Sequence, residues 1–354
     1  MTATTTDPQT MTRRNDRAIG RWLLLCAAMV LAMVVIGGIT RLTGSGLSIV
    51  EWRPILGFLP PLTDADWMRV FELYRATPQY QEVNAGMSLA EFRAIFWWEY
   101  IHRLFGRLIG LVFFIPFVWF LVRGRVRPAL VPRLVILFLL GGVQGVLGWY
   151  MVRSGLVDIP EVSQYRLTAH LSLAFVIYAA LVWTGLSLTI PDRPIVVDGK
   201  QTTVRRLALA TLALISLTIL SGAFVAGTDA GLIFNTFPLM DGAILPPGYF
   251  DTAAAAFEDH GTIQFHHRVL AILSLLTVLA LWWNSRWLAL APRARAVANG
   301  LLVVAALQVV LGITTLLLVV PVHAAATHQA GAVVLFTMII WFVYELGSAS
   351  PGDN

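Results

Sequence analysis

The run VANGLLVVAALQVVLGITTLLLVVPVHAAATHQAGAVVLFTMIIWFVY, residues 297–344, decides the fold class. It contains no Asp, Glu, Lys or Arg, and it is too long for one bilayer crossing, which needs about 20 apolar residues. Pro321 interrupts the run near its middle, and a proline inside a helix breaks or kinks it. The run therefore predicts two membrane-spanning helices joined by a tight hairpin.

The composition of the whole chain agrees with this reading. Of its 354 residues, 57% are hydrophobic and only 13% are charged, whereas soluble domains carry about 25% charged residues. The net charge is +5, but the basic residues lie mostly in short segments between apolar runs, where they indicate membrane orientation and not nucleic-acid binding. The single cysteine, Cys26, excludes an intrachain disulfide and a thiolate metal site.

The apolar segments predict an all-α integral membrane protein with eight transmembrane helices. The excess of Arg and Lys in alternate connections places both termini in the cytoplasm and the long segments 41–95 and 228–261 outside. The first helix is expected to be retained, since no small-residue cleavage site follows it. Within the first outer segment, DADWMRVFELYRA predicts an amphipathic helix on the outer surface. The predicted spans are 20–40, 96–122, 131–152, 164–190, 205–227, 262–284, 296–319 and 322–346.

The two halves of the chain repeat in sequence and in the same order. Because each half has four spans, both halves insert the same way up, which predicts a parallel repeat about an axis along the membrane normal. The matching segments are GGITRLTGSGL from Gly37 with GAFVAGTDAGL from Gly222, EYIHR (99–103) with QFHHR (264–268), VQGVLG (143–148) with LQVVLG (307–312), and LTAHLSLAF (167–175) with AATHQAGAV (325–333).

The repeat predicts two pseudo-symmetric four-helix bundles, at 20–190 and 205–346. A cytoplasmic linker at 191–204 joins them, and cytoplasmic tails at 1–19 and 347–354 flank them.

Four of the seven histidines occupy equivalent repeat positions: His102, His170, His267 and His328. Each falls in the first two turns of an inward-running span, about 5–12 Å below the outer surface. One intramembrane histidine can be explained by an interhelical hydrogen bond, but four at one depth, two per bundle, indicate function. Two facing imidazoles suit axial ligation of haem iron, whereas a zinc site would lack ligands.

Charged residues beside these histidines suggest further roles. Arg103 and Arg268 follow two of them and either bind haem propionates or extend to lipid headgroups. Arg41 and Arg166 are lesser candidates for the propionates. Glu99 lies one turn before His102, and Gln264 takes its place in the second half. A carboxylate can ionise and move protons and an amide cannot, so the repeat predicts one reactive site and one electron-transfer site.

The sequence resembles the haem A synthase family, membrane enzymes that convert haem O to haem A for cytochrome oxidase. The resemblance covers nearly all of residues 20–345 and implies a substrate haem O between His102 and His170, and a resident haem b between His267 and His328. Some family members carry cysteine pairs in the outer loops, and this chain has none. The resembling segments are GGITRLTGSGLSIVEWRPILGFLPP (37–61), FWWEYIHRLFGR (96–107), GWYMVRSGL (148–156), RLTAHLSLAF (166–175), GAFVAGTDAGLIFNTFPLMDG (222–242) and the later HHR and THQ segments.

The resemblance implies oxidation of the C8 methyl of haem O to a formyl group in two successive steps, through an alcohol and an aldehyde hydrate. Glu99 is the catalytic candidate, handling protons or stabilising a cationic intermediate, while haem b relays electrons.

The expected location is a bacterial inner membrane, with both haem sites near the periplasmic face. Expected partners are the lipid bilayer, a haem O synthase (the farnesyltransferase) and an unidentified electron donor, and the membrane faces permit a homo-oligomer. The alternatives are a bis-histidine electron carrier and a haem chaperone or transporter.

Overall fold

The computed structural model describes residues 8–52, 57–156, 160–190 and 199–347. Ten α-helices and no β-strand occur in these ranges. Eight of the helices are long and apolar enough to cross a membrane, which confirms the prediction of an all-α protein with eight spans. The helices are α1 (Pro8–Leu42), α2 (Asp64–Arg75), α3 (Leu89–Val122), α4 (Val131–Gly155), α5 (Gln164–Thr189), α6 (Gly199–Gly227), α7 (Ala255–Glu258), α8 (His260–Ser285), α9 (Pro292–Leu317) and α10 (Val322–Glu345).

The long uncharged run folds as the predicted hairpin. Helix α9 ends at Leu317 and α10 begins at Val322, with Pro321 as the N-cap residue of α10. Two residues between them, Val319 and Val320, have φ angles of 60° and 55°, a left-handed conformation that turns the chain sharply. The hairpin confirms that proline divides one apolar run into two spans.

Helix α3 begins well before its predicted span. Ser88 starts it with a capping box in which the Ser88 side chain and the Glu91 side chain each bond the other residue's backbone. The added turns bury Phe92 and Phe96 against α2, where the Trp67 ring lies 4.9 Å from that of Phe96. The predicted amphipathic helix therefore exists as α2, and the apolar side chains of Trp67 and Phe71 pack on α3.

The eight long helices pack in two rings of four. In the first half, α1 packs on α3, α3 on α4, α4 on α5, and α5 on α1. In the second half, α6 packs on α8, α8 on α9, α9 on α10, and α10 on α6. The halves meet through α1, α5, α6 and α10, where the hydroxyls of Tyr178 and Thr337 are 2.6 Å apart. The division into two pseudo-symmetric bundles stays a prediction, and this packing favours it.

The predicted tails and linker differ in part from the observed helices. Helix α1 begins at Pro8, inside the predicted tail, and residues 199–204 of the predicted linker form the first turns of α6. Residues 191–198 of the linker and 348–354 of the last tail lie outside the described residues.

Candidate functional site

The four repeated histidines lie on helices that are diagonally opposite in each ring. His102 on α3 is close enough to His170 on α5 for the two rings to interact electrostatically. His267 on α8 and His328 on α10 interact in the same way. The fold therefore brings together the two histidine pairs that the sequence predicts, one pair inside each ring of helices.

The depth of the four histidines in a membrane stays a prediction, and the structure gives their positions along their helices. His170, His267 and His328 lie within the first eight residues of α5, α8 and α10. His102 lies further along its helix, because α3 starts at Leu89 and its first turns pack against α2 outside the predicted span. His102 consequently lies about 20 Å along its helix at 1.5 Å per residue.

Each of the four imidazoles packs directly against a glycine of a neighbouring helix. The contacts are so close that a methyl group in place of the glycine hydrogen would lie within 2.9 to 3.4 Å of the ring. The approach is tightest at Gly148, Gly222 and Gly312, at 3.0, 3.1 and 2.9 Å, so these glycines fix where the rings lie. At Gly37 the distance is 3.4 Å, where ordinary van der Waals contact begins. The four pairs are Gly37 on α1 with His102, Gly148 on α4 with His170, Gly222 on α6 with His267, and Gly312 on α9 with His328.

A glutamine also recurs beside the second histidine of each pair. Gln144 Nε2 donates to the backbone oxygen of His170 over 3.1 Å, and Gln308 Nε2 donates to that of His328 over 2.8 Å. Gln144 Nε2 additionally lies 3.2 and 3.3 Å from the two ring nitrogens of His170. Both glutamines hold the helix turn that carries the ring.

The ring of His267 has a hydroxyl partner of its own. Ser221 Oγ lies 2.8 Å from His267 Nδ1 and 2.7 Å from the backbone oxygen of Thr218, to which it donates. The serine oxygen therefore accepts the Nδ1–H of the imidazole. This tautomer leaves Nε2 with a free lone pair, the form that binds iron.

Glu99 is buried and accepts four hydrogen bonds. Ser48 Oγ and Ile49 N each donate to Oε2 over 2.7 Å. Arg103 donates to Oε1 from Nε over 2.9 Å and from Nη2 over 2.6 Å. Because a carboxylate is an acceptor on both oxygens, these donors match a carboxylate and tie the segment after α1 to α3.

Arg103 and Arg268 make the same loop contact in both halves. Arg103 Nη2 donates to Ile49 O, and Arg268 Nη2 donates to Phe234 O, each over 2.7 Å. Arg268 also bonds Gln264 Oε1 over 3.0 Å, as Arg103 bonds Glu99. Loop anchoring is thus a sufficient reason for the recurrence of these arginines, and their contact with propionates stays a prediction.

Gln264 donates hydrogen bonds to the loop after α6, whereas Glu99 accepts hydrogen bonds from the loop after α1. Gln264 Nε2 donates to Ala230 O over 2.9 Å and to Phe234 O over 3.3 Å. The loop after α6 offers carbonyl oxygens where the loop after α1 offers an N–H and a hydroxyl. Each loop is therefore matched to the residue that its half carries at this position.

The two lesser arginine candidates are nearer the surface. Arg41 pairs with Asp229 across the two halves over 3.2 Å. Arg166 donates to the backbone oxygen of Tyr150 over 3.2 Å and lies 4.2 Å from the centre of its ring. Neither belongs to the buried network around Glu99.

Among the described residues, no group of three or more His, Cys, Asp or Glu side chains could hold a metal ion. The remaining histidines are separate from the pairs: His266 contacts the Tyr249 hydroxyl over 3.1 Å, while His260 and His323 are exposed. The described residues therefore contain two histidine pairs and no larger cluster of this kind.

Comparison with known proteins shows the family of the chain. The model of the cytochrome oxidase assembly protein family matches residues 20–340. The chain belongs to this family. A protein named Heme A synthase from Parvibaculum lavamentivorans is 54% identical over 342 residues, covering 95% of this chain and 96% of the relative. Proteins of the same name from Nitrosospira multiformis and Nitrosomonas eutropha are 52% and 50% identical, covering 94% of this chain each, and 94% and 95% of the relatives.

The sequence prediction did not include the residues that hold the histidines. The glycine partners were present in the repeat, since Gly37 aligns with Gly222 and Gly148 with Gly312. Their shared position was a usable signal, but nothing in the sequence showed that an imidazole would lie against them. Ser221 gave no signal at all, because its repeat equivalent is Ile36.

Proposed function

We propose that this protein is an oxidoreductase that converts haem O to haem A. The reaction would oxidise the C8 methyl of haem O to a formyl group in two steps, through an alcohol and an aldehyde hydrate, and supply haem A for cytochrome oxidase. Support comes from relatives of about half-identical sequence that carry the name Heme A synthase. It also comes from the two histidine pairs in a multi-pass membrane protein.

The observation that carries the proposal is the pairing of histidines on diagonal helices, each ring backed by a glycine. Two imidazoles that face each other within a helical bundle suit the axial positions of a haem iron. His102 and His170 would hold the substrate haem O. His267 and His328 would hold a haem b.

The second pair fits a resident haem on the evidence of its hydrogen bonds. Ser221 accepts the Nδ1–H of His267, which leaves Nε2 able to bind iron. When bound there, haem b supplies a centre that accepts and passes on single electrons. The protein's part is to hold both rings at fixed positions through Gly222 and Gly312.

Glu99 is the proposed catalytic residue, because it carries the carboxylate that distinguishes the first half. It lies one helical turn before His102, so it faces the same side of α3. Its pairing with Arg103 keeps the carboxylate oriented. In this role Glu99 would accept protons released from the methyl carbon or stabilise positive charge that develops there.

Arg268 is the better proposed propionate ligand of the two recurring arginines. Its Nε is buried without a hydrogen-bond partner in the described part of the structure, whereas Arg103 uses Nε, Nη1 and Nη2 on Glu99 and two backbone oxygens. A haem carboxylate beside Arg268 would satisfy this N–H. Arg41 and Arg166 lie further out and would bind propionates only at the rim.

We infer a bacterial inner membrane location, with both termini in the cytoplasm and the histidines near the periplasmic side. The support is the set of basic residues in the first turns of α1 and in or beside the connections α3–α4, α5–α6 and α8–α9. A haem O synthase would be a partner, because haem O is too apolar to cross water freely. An electron donor would be a partner if dioxygen supplies the oxygen atom, because reduction of the other oxygen atom to water consumes two electrons. A homo-oligomer is compatible with the exposed apolar helix faces.

Pigment analysis tests the proposed reaction. The protein would be expressed with a haem O source, and the extracted pigments analysed by mass. Haem A is the expected product. Haem returned unchanged would refute the reaction and favour the electron carrier or the haem chaperone.

Substitution of Glu99 tests the catalytic role, provided that loop anchoring is controlled. Glu99→Gln should keep haem binding but abolish haem A formation, although its amide would also face the Ile49 N–H, a donor against a donor. Ser48→Ala is the matched control, since it removes one bond to the same carboxylate oxygen and keeps the charge. Normal turnover in Glu99→Gln, or an equal loss in Ser48→Ala, would contradict a catalytic carboxylate.

Substitution of the second histidine pair tests the ligand assignment. His267→Ala and His328→Ala should each abolish the low-spin haem b spectrum, while His266→Ala, one residue away on another face of α8, should keep it. A low-spin signal that survives both ligand substitutions would refute the assignment.

A further inference from the structure

The second histidine site rests on a hydroxyl network that joins α6 to α8. Ser221 Oγ bonds His267 Nδ1 and donates to Thr218 O. Thr218 Oγ1 in turn lies 2.8 Å from Ser274 Oγ on α8, 3.2 Å from Leu270 O and 2.9 Å from Leu214 O. The ring of His267 is therefore held from the side by a chain of bonds that also holds the two helices together.

The repeat places apolar residues at every equivalent position of the first half. Thr218 corresponds to Met33, Ser221 to Ile36 and Ser274 to Ile109. The two isoleucines have no atom that can bond an imidazole nitrogen, and the thioether of Met33 is only a weak acceptor. In the part of the chain that the structure describes, no hydrogen bond to the ring of His102 occurs.

The orientation of the His102 ring reflects this difference. A methyl group at Gly222 would lie nearest to His267 Cε1, at 3.1 Å, whereas one at Gly37 would lie nearest to His102 Nε2, at 3.4 Å. A half-turn of the imidazole about its Cβ–Cγ bond exchanges these two edges. The Nε2 atom of His102 thus lies against the α1 backbone, whereas in His267 the edge with Cε1 lies against the α6 backbone.

The second ligands of the two pairs carry no equivalent contrast. Gln144 Nε2 lies 3.2 and 3.3 Å from the two ring nitrogens of His170, a position that does not lie along the in-plane lone pair of either nitrogen. His328 Nδ1 is buried and has no hydrogen-bond partner in the described part of the structure. The contrast between the two sites therefore lies in the rings of His102 and His267.

We propose that the Ser221 hydroxyl retains the haem of the second site by fixing the ring of His267. Ile36 offers no such bond, so the ring of His102 can rotate away from the iron and the first site can exchange its haem. This inference rests on the proposed function, in which one haem stays and the other enters as substrate and leaves as product. A hydrogen bond from Nδ1–H to an acceptor orients the imidazole and increases its basicity, and loss of such a bond costs about 10- to 100-fold in metal affinity.

The test compares pairs of variants that differ only in a hydroxyl. Ser221→Thr and Ser221→Val have side chains of nearly equal volume, as do Ile36→Thr and Ile36→Val. Ser216→Ala controls for loss of a hydroxyl from α6, because among the described residues Ser216 Oγ bonds Leu212 O alone. The measurement is the rate of haem transfer from purified protein to excess apomyoglobin, with haem b loaded for the second site and haem O added for the first.

Haem b should leave Ser221→Val at least tenfold faster than Ser221→Thr, and Ser216→Ala should behave as the unchanged protein. In the first site, Ile36→Thr should release haem O more slowly than Ile36→Val. Equal rates for the Ser221 pair would overturn the inference. Equal rates for the Ile36 pair would overturn its second half, that the missing hydroxyl permits exchange.

The ring orientation supplies a second readout that does not depend on turnover. Ser221→Val should change the low-spin electron paramagnetic resonance signal and raise the reduction potential of haem b relative to Ser221→Thr, because the less basic imidazole stabilises ferric iron less well. Identical signals and potentials would also overturn the inference. If pigment analysis finds no haem A while the Thr and Val variants still differ in their rates of haem release, the proposed reaction is refuted. The role of Ser221 in retaining haem is then still supported.

Discussion

Gly148→Ala should weaken the binding of haem O by His102 and His170, although alanine is the better helix former. Gly148 lies on α4 against the His170 ring, and an added methyl group would be 3.0 Å from Cε1 and 3.5 Å from Nδ1. The ring would have to move by a few tenths of an ångström. Gly142 is on the same helix, about 120° away around its axis, and a methyl group there would contact nothing within 4 Å.

The comparison of these two variants isolates the contact with the ring. Glycine and alanine differ by about 1 kcal/mol in helix propensity, and that gain is shared by both substitutions and cancels in their difference. The remainder is the cost of overpacking, about 1–3 kcal/mol. Since each 1.4 kcal/mol is a factor of ten, haem O should bind Gly148→Ala roughly 5- to 150-fold more weakly than Gly142→Ala.

The assay is titration of each purified variant with haem O, followed through its low-spin absorption, with a thermal unfolding curve of the protein before haem is added. Gly142→Ala should unfold at or above the temperature of the unchanged protein, and Gly148→Ala below it. Equal affinities and equal unfolding temperatures would refute the idea that glycine sets the position of the ring.

Two further predictions concern the outer surface. Trp67→Ala should expose the segment 64–75 to protease and cost about 3–5 kcal/mol locally, because the ring is 8% exposed and packs on Phe96; unchanged cleavage would contradict the observed packing of α2 on α3. Asp229→Ala should change the free energy of unfolding by less than about 1 kcal/mol, since the ion pair with Arg41 is solvent-exposed; a larger loss in a denaturant titration would show that this pair holds the halves together.

The membrane helices could be predicted because their cause is local. A bilayer leaves no partner for backbone N–H and C=O groups except within a helix, so length and hydropathy suffice, and Pro321 marks the hairpin. The start of α3 at Leu89 was missed because its first turns are stabilised by Trp67 and Phe71, residues of another helix. Apolar length alone reports the part of a helix that lipid surrounds.

The site could be predicted only as far as the internal repeat carried it. Matching the halves selected His102, His170, His267 and His328 from seven histidines. The bonds of Glu99 could not be predicted, because its donors Ser48 and Ile49 are about fifty residues away in sequence. The recurring arginine was assigned either to haem propionates or to lipid headgroups, and the sequence did not show the loop that it anchors in both halves.

The positions at which the two halves differ also carry information, which a search for matching motifs leaves out. A repeat shows what two sites share, and the positions where it fails show what each site does alone. One turn before the first histidine of each pair, the first half carries a carboxylate and the second half an amide. The loop beside the carboxylate offers hydrogen-bond donors, and the loop beside the amide offers acceptors.

Beside the histidines the difference runs the other way, with hydroxyls in the second half and apolar side chains in the first. Buried polar networks in a membrane are costly unless each member is satisfied, so the hydroxyls around His267 indicate a demand for a fixed ring. The first half has a buried charge at Glu99 and no such restraint on His102. Under the proposed function, the first half carries out the reaction and the second half retains its haem. The two properties should then be removable one at a time, by Glu99→Gln and by Ser221→Val.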